Sequence, residues 1–140
     1  MYRRILVAVE HSPADATILT HVKALALLTG GEVLLVHVAD GWAARNFEQL
    51  QLRESEEMAG DRAYLEQIAA EFAAVPLTVS TKLAMGDPAT ELIRLVEEWR
   101  ADLIAMSTHG HRFVNDLLRG TTVNRVRHEV KVPVLLLRQQ

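Results

Sequence analysis

The segment Asp102–Arg138, DLIAMSTHGHRFVNDLLRGTTVNRVRHEVKVPVLLLR, decides the fold. Its apolar run Leu103–Met106 predicts a buried strand, and the small polar residues Ser107-Thr108-His109-Gly110 predict a turn directly after it. After nine intervening residues, Gly120-Thr121-Thr122 is expected to open a helix, and Val134–Leu137 predicts a final apolar strand. Glycine lets a backbone approach a ligand closely, while a helix start offers unpaired N–H groups and the positive end of a dipole. Two such devices after one strand suit a cradle for phosphates. The plain alternative is an ordinary strand-to-helix turn.

The same alternation extends back through the chain. Ile5–Val9 is a short β-branched run. Ser12-Pro13-Ala14-Asp15 then predicts a helix with a serine N-cap, proline at its first position and an acid three residues after the cap. Ile18, Val22 and Leu25 keep helical spacing until Thr29-Gly30-Gly31 stops the helix. Val33–Val38 is the second strand. From Asn46 to Ala74, Met58, Leu65, Ile68 and Phe72 mark the inner side of a long helical segment. Leu77–Leu83 alternates, as an edge strand would, and Gly86-Asp87-Pro88 caps a helix whose inner face is Leu92, Val96 and Trp99.

This βαβαβαβαβ order implies one α/β domain over 1–140, with a parallel sheet covered on both faces. Right-handed crossovers make the sheet doubly wound, and ligands then sit beyond the C-terminal strand ends where strand order reverses. The loops at that edge are Glu10-His11-Ser12, Val38-Ala39-Asp40, Ala84–Pro88 and Ser107–Gly110. Glu10 stands where a carboxylate can accept hydrogen bonds from ribose hydroxyls, or else leads, solvated, into the helix cap.

Composition narrows the function. At 49% hydrophobic and 24% charged residues, the chain falls among soluble globular domains. No apolar run nears the roughly 18 residues of a membrane span. MYRRILVAVE has no apolar h-region or small-residue cleavage site, so no signal peptide and a cytoplasmic location are expected. With no cysteine, disulfides and thiolate chemistry are excluded. The net charge of −3 argues against nucleic-acid binding. Between Gly110 and Lys131, however, Arg112, Arg119, Arg125, Arg127 and Lys131 outnumber Asp116 and Glu129, which favours an anionic ligand there.

Neither G-x-x-x-x-G-K-[ST] nor a G-x-G-x-x-G after the first strand is present, which disfavours P-loop NTPases and dinucleotide oxidoreductases. His11, His109 and His111 could meet at the active edge, but an H-x-H without an assigned third ligand is poor evidence for metal, and none is expected. His37 suits a core position. A triad on Ser107 and His109 lacks the nucleophile elbow. Trp42 and Trp99 suit packing.

The whole chain resembles a universal stress protein domain. MYRRILVAVEHSPAD is similar to that family's first strand and acidic turn, LLVHV to its second strand, and GDPATELIRLVEEWRADLIAMSTHG to its third helix and fourth strand. GTTVNRVRHEVKVPVLLLR is similar to its closing helix and strand. The family's ATP-binding branch carries G-x2-G-x9-G-[ST]; here it is Ser107-x2-Gly110-x9-Gly120-Thr121, with serine for the first glycine. Glu10 replaces the usual aspartate, and His111-Arg112-Phe113 is bulkier than the family's segment.

The resemblance implies an adenine nucleotide alpha-hydrolase-like fold, a five-stranded parallel sheet of order 3-2-1-4-5. It implies ATP between the first and fourth strands, with Mg2+ as an optional companion. Adenine would rest against Ala8, Val9 and Val38, with Glu10 and Gly86 near the ribose. Met106, Ser107, His109 and Gly110 would line the turn, and Gly120, Thr121 and Thr122 would hold the phosphates. Arg112 is a further cation able to fold over the phosphate tail. Homodimers would join through Val134–Leu137. With no positioned base or P-loop lysine, hydrolysis would be slow at best, which makes ATP a regulatory ligand in the stress response rather than a fuel. The rival readings are a nucleotide-free homodimeric interaction module and a metal-responsive accessory built on His11, His109 and His111.

Overall fold

The three central strands form from apolar runs buried on both faces, and two less buried strands flank them at the sheet edges. The computed structural model describes residues 1–39, 56–108 and 116–138. In chain order the elements are β1 (Arg4–Ala8), α1 (Asp15–Thr29), β2 (Glu32–Ala39), α2 (Glu56–Phe72), β3 (Val79–Met85), α3 (Pro88–Glu98), β4 (Leu103–Thr108), α4 (Asp116–Glu129) and β5 (Val134–Arg138). The sheet order is β3-β2-β1-β4-β5, all parallel, as the resemblance implies.

Strand periodicity divides the core into two layers. Ile5, Val7, Val9, Val33, Leu35, Leu103 and Ala105 point to one face, where they pack on Ile18 and Val22 of α1 and on Leu65, Ile68 and Phe72 of α2. Leu6, Leu34, Val36, Ile104 and Met106 point to the other, under Leu92, Leu95 and Val96 of α3 and Val126 of α4. Neighbouring residues thus serve opposite layers, which is why the strand sequences carry continuous apolar runs.

The sheet is pinned at its other end. Asp102 accepts the Arg3 and Arg4 amides at 2.8 and 3.0 Å, fixing the start of β1 against β4. The Arg4 guanidinium lies 4.2 Å from the Trp99 ring centroid, donates to the Trp99 carbonyl at 2.7 Å and pairs with Glu32. Trp99 is therefore a packing residue; Trp42 lies outside the described residues.

Four of the boundaries that differ from the sequence expectations matter here. β3 begins two residues later than Leu77, though its edge position holds. β4 continues through Thr108, so Ser107 is a strand residue rather than the first residue of a turn. Helix α4 begins at Asp116, one turn before Gly120: Leu117, Leu118 and Arg119 are strong helix formers and carry the helix back past the glycine. The amides at Gly120 and beyond are consequently inside the helix rather than at its unpaired start.

The fourth correction is at α1, which starts at Asp15 without a side-chain cap. Ser12 and Pro13 form a preceding turn in which Ser12 C=O accepts the Asp15 amide at 3.1 Å. Asp15, expected as the acid three residues after a serine N-cap, is 1% exposed. Its carboxylate instead reaches backward to accept the amides of Glu10 (2.9 Å), His11 (2.9 Å) and Ser12 (3.3 Å), and the Tyr64 hydroxyl from α2 (2.6 Å). Burial first, and then the bond to Asp15, push the Tyr64 hydroxyl above the ordinary phenol range. A carboxylate this deep persists only because its lone pairs are filled.

Asp15→Ala leaves three loop amides and a phenol without their acceptor and is expected to cost about 3 kcal/mol. Tyr64→Phe, which removes one of the four bonds, is expected to cost about 1 kcal/mol. Urea denaturation of both variants checks the order; equal midpoints for Asp15→Ala and wild type would show that the loop is held by something else.

Candidate functional site

Beyond the C-terminal ends of β1, β2 and β4 lies a cavity of about 390 Å³. That is within the range of small-molecule sites, and the place is the reversal point between β1 and β4. Its floor is the ends of the strands: Ala8 and Val9 of β1 and its exit, Val36 to Ala39 of β2, and Met106 and Ser107 of β4. One wall is Pro88 and Leu92 of α3 with Thr122 and Val123 of α4. The opposite wall is Glu10 and His11 of the loop after β1, with Asp61 of α2. Apolar surface lies under the centre and polar groups around the rim.

Several sequence-nominated residues therefore meet at one cavity: Ala8, Val9, Glu10, Val38, Met106, Ser107 and Thr122. Ser107, the serine in place of glycine, is 5% exposed, and its hydroxyl donates to the Ala14 carbonyl at 3.3 Å. The extra side chain is thereby spent on the start of α1. Glu10 accepts the Ser12 hydroxyl at 3.2 Å. Gly86 does not line the cavity; it lies in the β3–α3 connection at φ 129°, a backbone state side chains resist, and its amide donates to the Ala39 carbonyl at 3.2 Å. Thr121 is beside the lining rather than in it, and Gly120 is within α4. His109, Gly110, Arg112 and Phe113 lie outside the described residues.

The α3–α4 wall is tied by one carboxylate. Asp87 is the N-cap of α3, as the sequence predicts, and accepts the Thr90 hydroxyl at 2.7 Å and the Thr90 amide at 3.0 Å. Arg125 of α4 adds an ion pair at 2.8 Å, itself bonded to Glu129 one turn on. The two Thr90 hydrogen bonds, and then Arg125, hold the Asp87 carboxyl below its usual value.

Sequence reasoning missed the polar cluster on the opposite wall. Asp61, 4% exposed, receives His11 Nδ1 at 2.7 Å on Oδ1, and its Oδ2 lies 3.2 Å from His37 Nε2. The latter contact is off the line of a hydrogen bond, leaving Oδ2 unpartnered in that sense. His37 Nδ1 donates to the Val9 carbonyl at 3.0 Å. The His11 ring stacks on Tyr64 at 4.1 Å between centroids. One sequence signal pointed here: Met58, Asp61, Leu65, Ile68 and Phe72 form a single 3-4 stripe of α2, so Asp61 occupies a core position. Among the described residues, no group of three His, Cys, Asp or Glu side chains is placed to hold a metal ion. His109 and His111, which the metal reading needs, are outside them.

Known proteins supply the remaining finding. The family model described as "Universal stress protein family" matches residues 1–138. Universal stress protein MJ0577 of Methanocaldococcus jannaschii is 28% identical, over 100% of this chain and 97% of its own. Its solved structure superposes with a TM-score of 0.82 at 27% identity, covering 100% of this chain and 98% of that one. The fold is shared at lower identity with a universal stress protein crystallised in complex with cAMP (TM-score 0.75, 17% identity, 99% and 98% coverage). It is shared also with one from Archaeoglobus fulgidus in complex with dAMP (0.70, 19%, 96% and 97%). No helix among the described residues is long and apolar enough to cross a membrane.

Asp87→Ala removes the cap and is expected to cost about 1 kcal/mol near neutral pH. Because the folded value lies below the unfolded one, the unfolded chain binds the proton more readily. The contribution is therefore full above the usual carboxylate value of 3.8 and is lost as pH falls through the lower folded value. Denaturation of both proteins across that range should show their stabilities converging toward acid; a constant gap would contradict the ion-pair and cap account.

Proposed function

The chain belongs to the universal stress protein family, and on that premise we propose that it binds ATP as a regulatory ligand in a cytoplasmic stress response. The observation that carries this reading is the open cavity at the β1–β4 reversal point, lined by Ala8, Val9, Glu10, Val38, Met106, Ser107 and Thr122 together. Apolar strand ends suit the faces of a purine, and a rim carboxylate suits ribose hydroxyls. The complexes of two structural relatives with cAMP and dAMP support an adenine nucleotide as the class.

In this reading adenine lies on Ala8, Val9 and Val38, and the sugar turns toward Glu10, with Gly86 behind it. The phosphates run past Met106 and Ser107 toward α4, where Thr121 and Thr122 offer hydroxyls. His109, Gly110, Arg112 and Gly120 are proposed as further phosphate-binding residues. The early start of α4 transfers the task from free amides at Gly120 to these hydroxyls and to the positive end of the helix. Mg2+ would accompany the phosphates without a dedicated protein cage, as is usual for that ion. Among the described residues no lysine lines the cavity, and in this reading ATP is held as a ligand, with hydrolysis slow at best.

The proposed assembly is a homodimer through β5. This strand ends the sheet, and Val134–Leu137 are only half-buried in the single chain. An apolar edge of this kind is stabilised by being covered.

Titration calorimetry with ATP tests the function. Wild type should bind, and Gly120→Glu, which introduces a better helix former together with an anion beside the phosphates, should weaken binding about 100-fold or more. Equal affinity in the two proteins would remove the phosphate seat from α4.

A further inference from the structure

The His11–Asp61–His37 cluster forms a wall of the cavity that neither the glycine spacing nor the first-strand acid accounts for. Its hydrogen bonds determine what His11 can offer a ligand. His37 Nδ1 faces the Val9 carbonyl at 3.0 Å, so that nitrogen carries a proton. His37 Nε2 lies 3.2 Å from Asp61 Oδ2, off the line of a hydrogen bond. A carboxylate oxygen only accepts, so the 2.7 Å contact between His11 Nδ1 and Asp61 Oδ1 places the proton of the neutral His11 ring on Nδ1. The remaining nitrogen, His11 Nε2, carries a lone pair and has no partner among the described residues. Asp61, almost wholly buried, is held in α2 and cannot swing away to release this arrangement.

The backbone agrees with a held, ligand-facing residue. His11 sits at φ 60°, a state a non-glycine residue adopts only under constraint. Its amide is bound by Asp15, its ring by Tyr64 and Asp61, and it lines the cavity with 42% of its side chain still exposed. It directly follows Glu10, whose carboxylate also lines the cavity. His11 Nε2 thus presents an acceptor at this rim, which complements an O–H donor and not a phosphate.

We propose that His11, its tautomer fixed by buried Asp61, is a ligand-recognition residue that accepts a hydrogen bond from a ribose hydroxyl at Nε2, making the cavity selective for ribonucleotides over their deoxy counterparts. This rests on the nucleotide reading above and adds a sugar selectivity to it. Asp61 is a positioning residue: it acts through His11.

The test compares calorimetric affinities for ATP, 2′-deoxy-ATP and 3′-deoxy-ATP in wild type, His11→Phe and Asp61→Asn. Wild type should favour ATP over at least one deoxy analogue by roughly tenfold, the worth of one good hydrogen bond. His11→Phe keeps the stacking partner for Tyr64 and should lose the preference while still binding ATP. Asp61→Asn can present its amide N–H to Nδ1, which moves the ring proton to Nε2 and should likewise erase the preference. Long-range proton–nitrogen NMR of the imidazole should show Nε2 unprotonated in wild type and protonated in Asp61→Asn, independently of any ligand. If wild type binds all three nucleotides equally, or His11→Phe and Asp61→Asn keep the wild-type ratio, the inference is wrong and the nucleotide reading stands. If wild type binds none of the three, the nucleotide reading fails and takes the sugar selectivity with it.

Discussion

A carboxylate with almost no solvent exposure gathers three consecutive loop amides, and the shape of the cavity depends on it. Asp15 is buried where α1 meets β1, and without it the amides of Glu10, His11 and Ser12 would each lack a partner at the mouth of the site. Its grip turns the chain sharply after β1, places His11 in the left-handed region and keeps Glu10 and His11 on one rim. Tyr64 completes the carboxylate's bonding and stacks on His11, so the loop and α2 are fastened by the same residues. Stability and site geometry share one set of hydrogen bonds.

The sheet supplies the other half. Parallel strands release their loops at one edge, and the change of direction between β1 and β4 leaves a crevice there. Two buried layers hold the strand ends rigid, while the groups on the rim differ by side. On the α3–α4 side, Asp87 and Arg125 tie two helices whose Thr122 and Leu92 line the cavity. On the α2 side, Asp61 and two imidazoles make a polar wall. A ligand with a flat apolar body, hydroxyls on one flank and charge at its tail fits that division.

Much of this was legible in the sequence, for identifiable reasons. Two-sided burial gives the central strands continuous apolar runs and the edge strand β3 alternates, so all five strands and the C-terminal active edge could be read directly. Asp87-Pro88 signalled its helix start because cap chemistry is local. What escaped depended on distant partners. Asp15 looked like a first-turn acid, yet it is at a core position with Ile18, Val22 and Ala26, and only the fold brings Tyr64 to it. Asp61 lies in the apolar stripe of α2 in the same way, and a charged residue there has meaning only once His11 and His37 arrive from elsewhere. The start of α4 was misplaced because glycine suggested a boundary while Leu117, Leu118 and Arg119 extended the helix across it. The family resemblance ran the length of the chain, and the serine that departs from the family's glycine pattern spends its hydroxyl on the Ala14 carbonyl.

The central claim is that the crevice at the reversal point is a nucleotide seat, and amide-resolved NMR during titration with ATP addresses it most directly. Saturable shifts should concentrate at Ala8 to His11, Val38 and Ala39, Met106 and Ser107, and Thr121 to Val123, residues from four separate parts of the chain that meet only at this cavity. Shifts confined to another surface, or none at saturating ATP, would contradict the account.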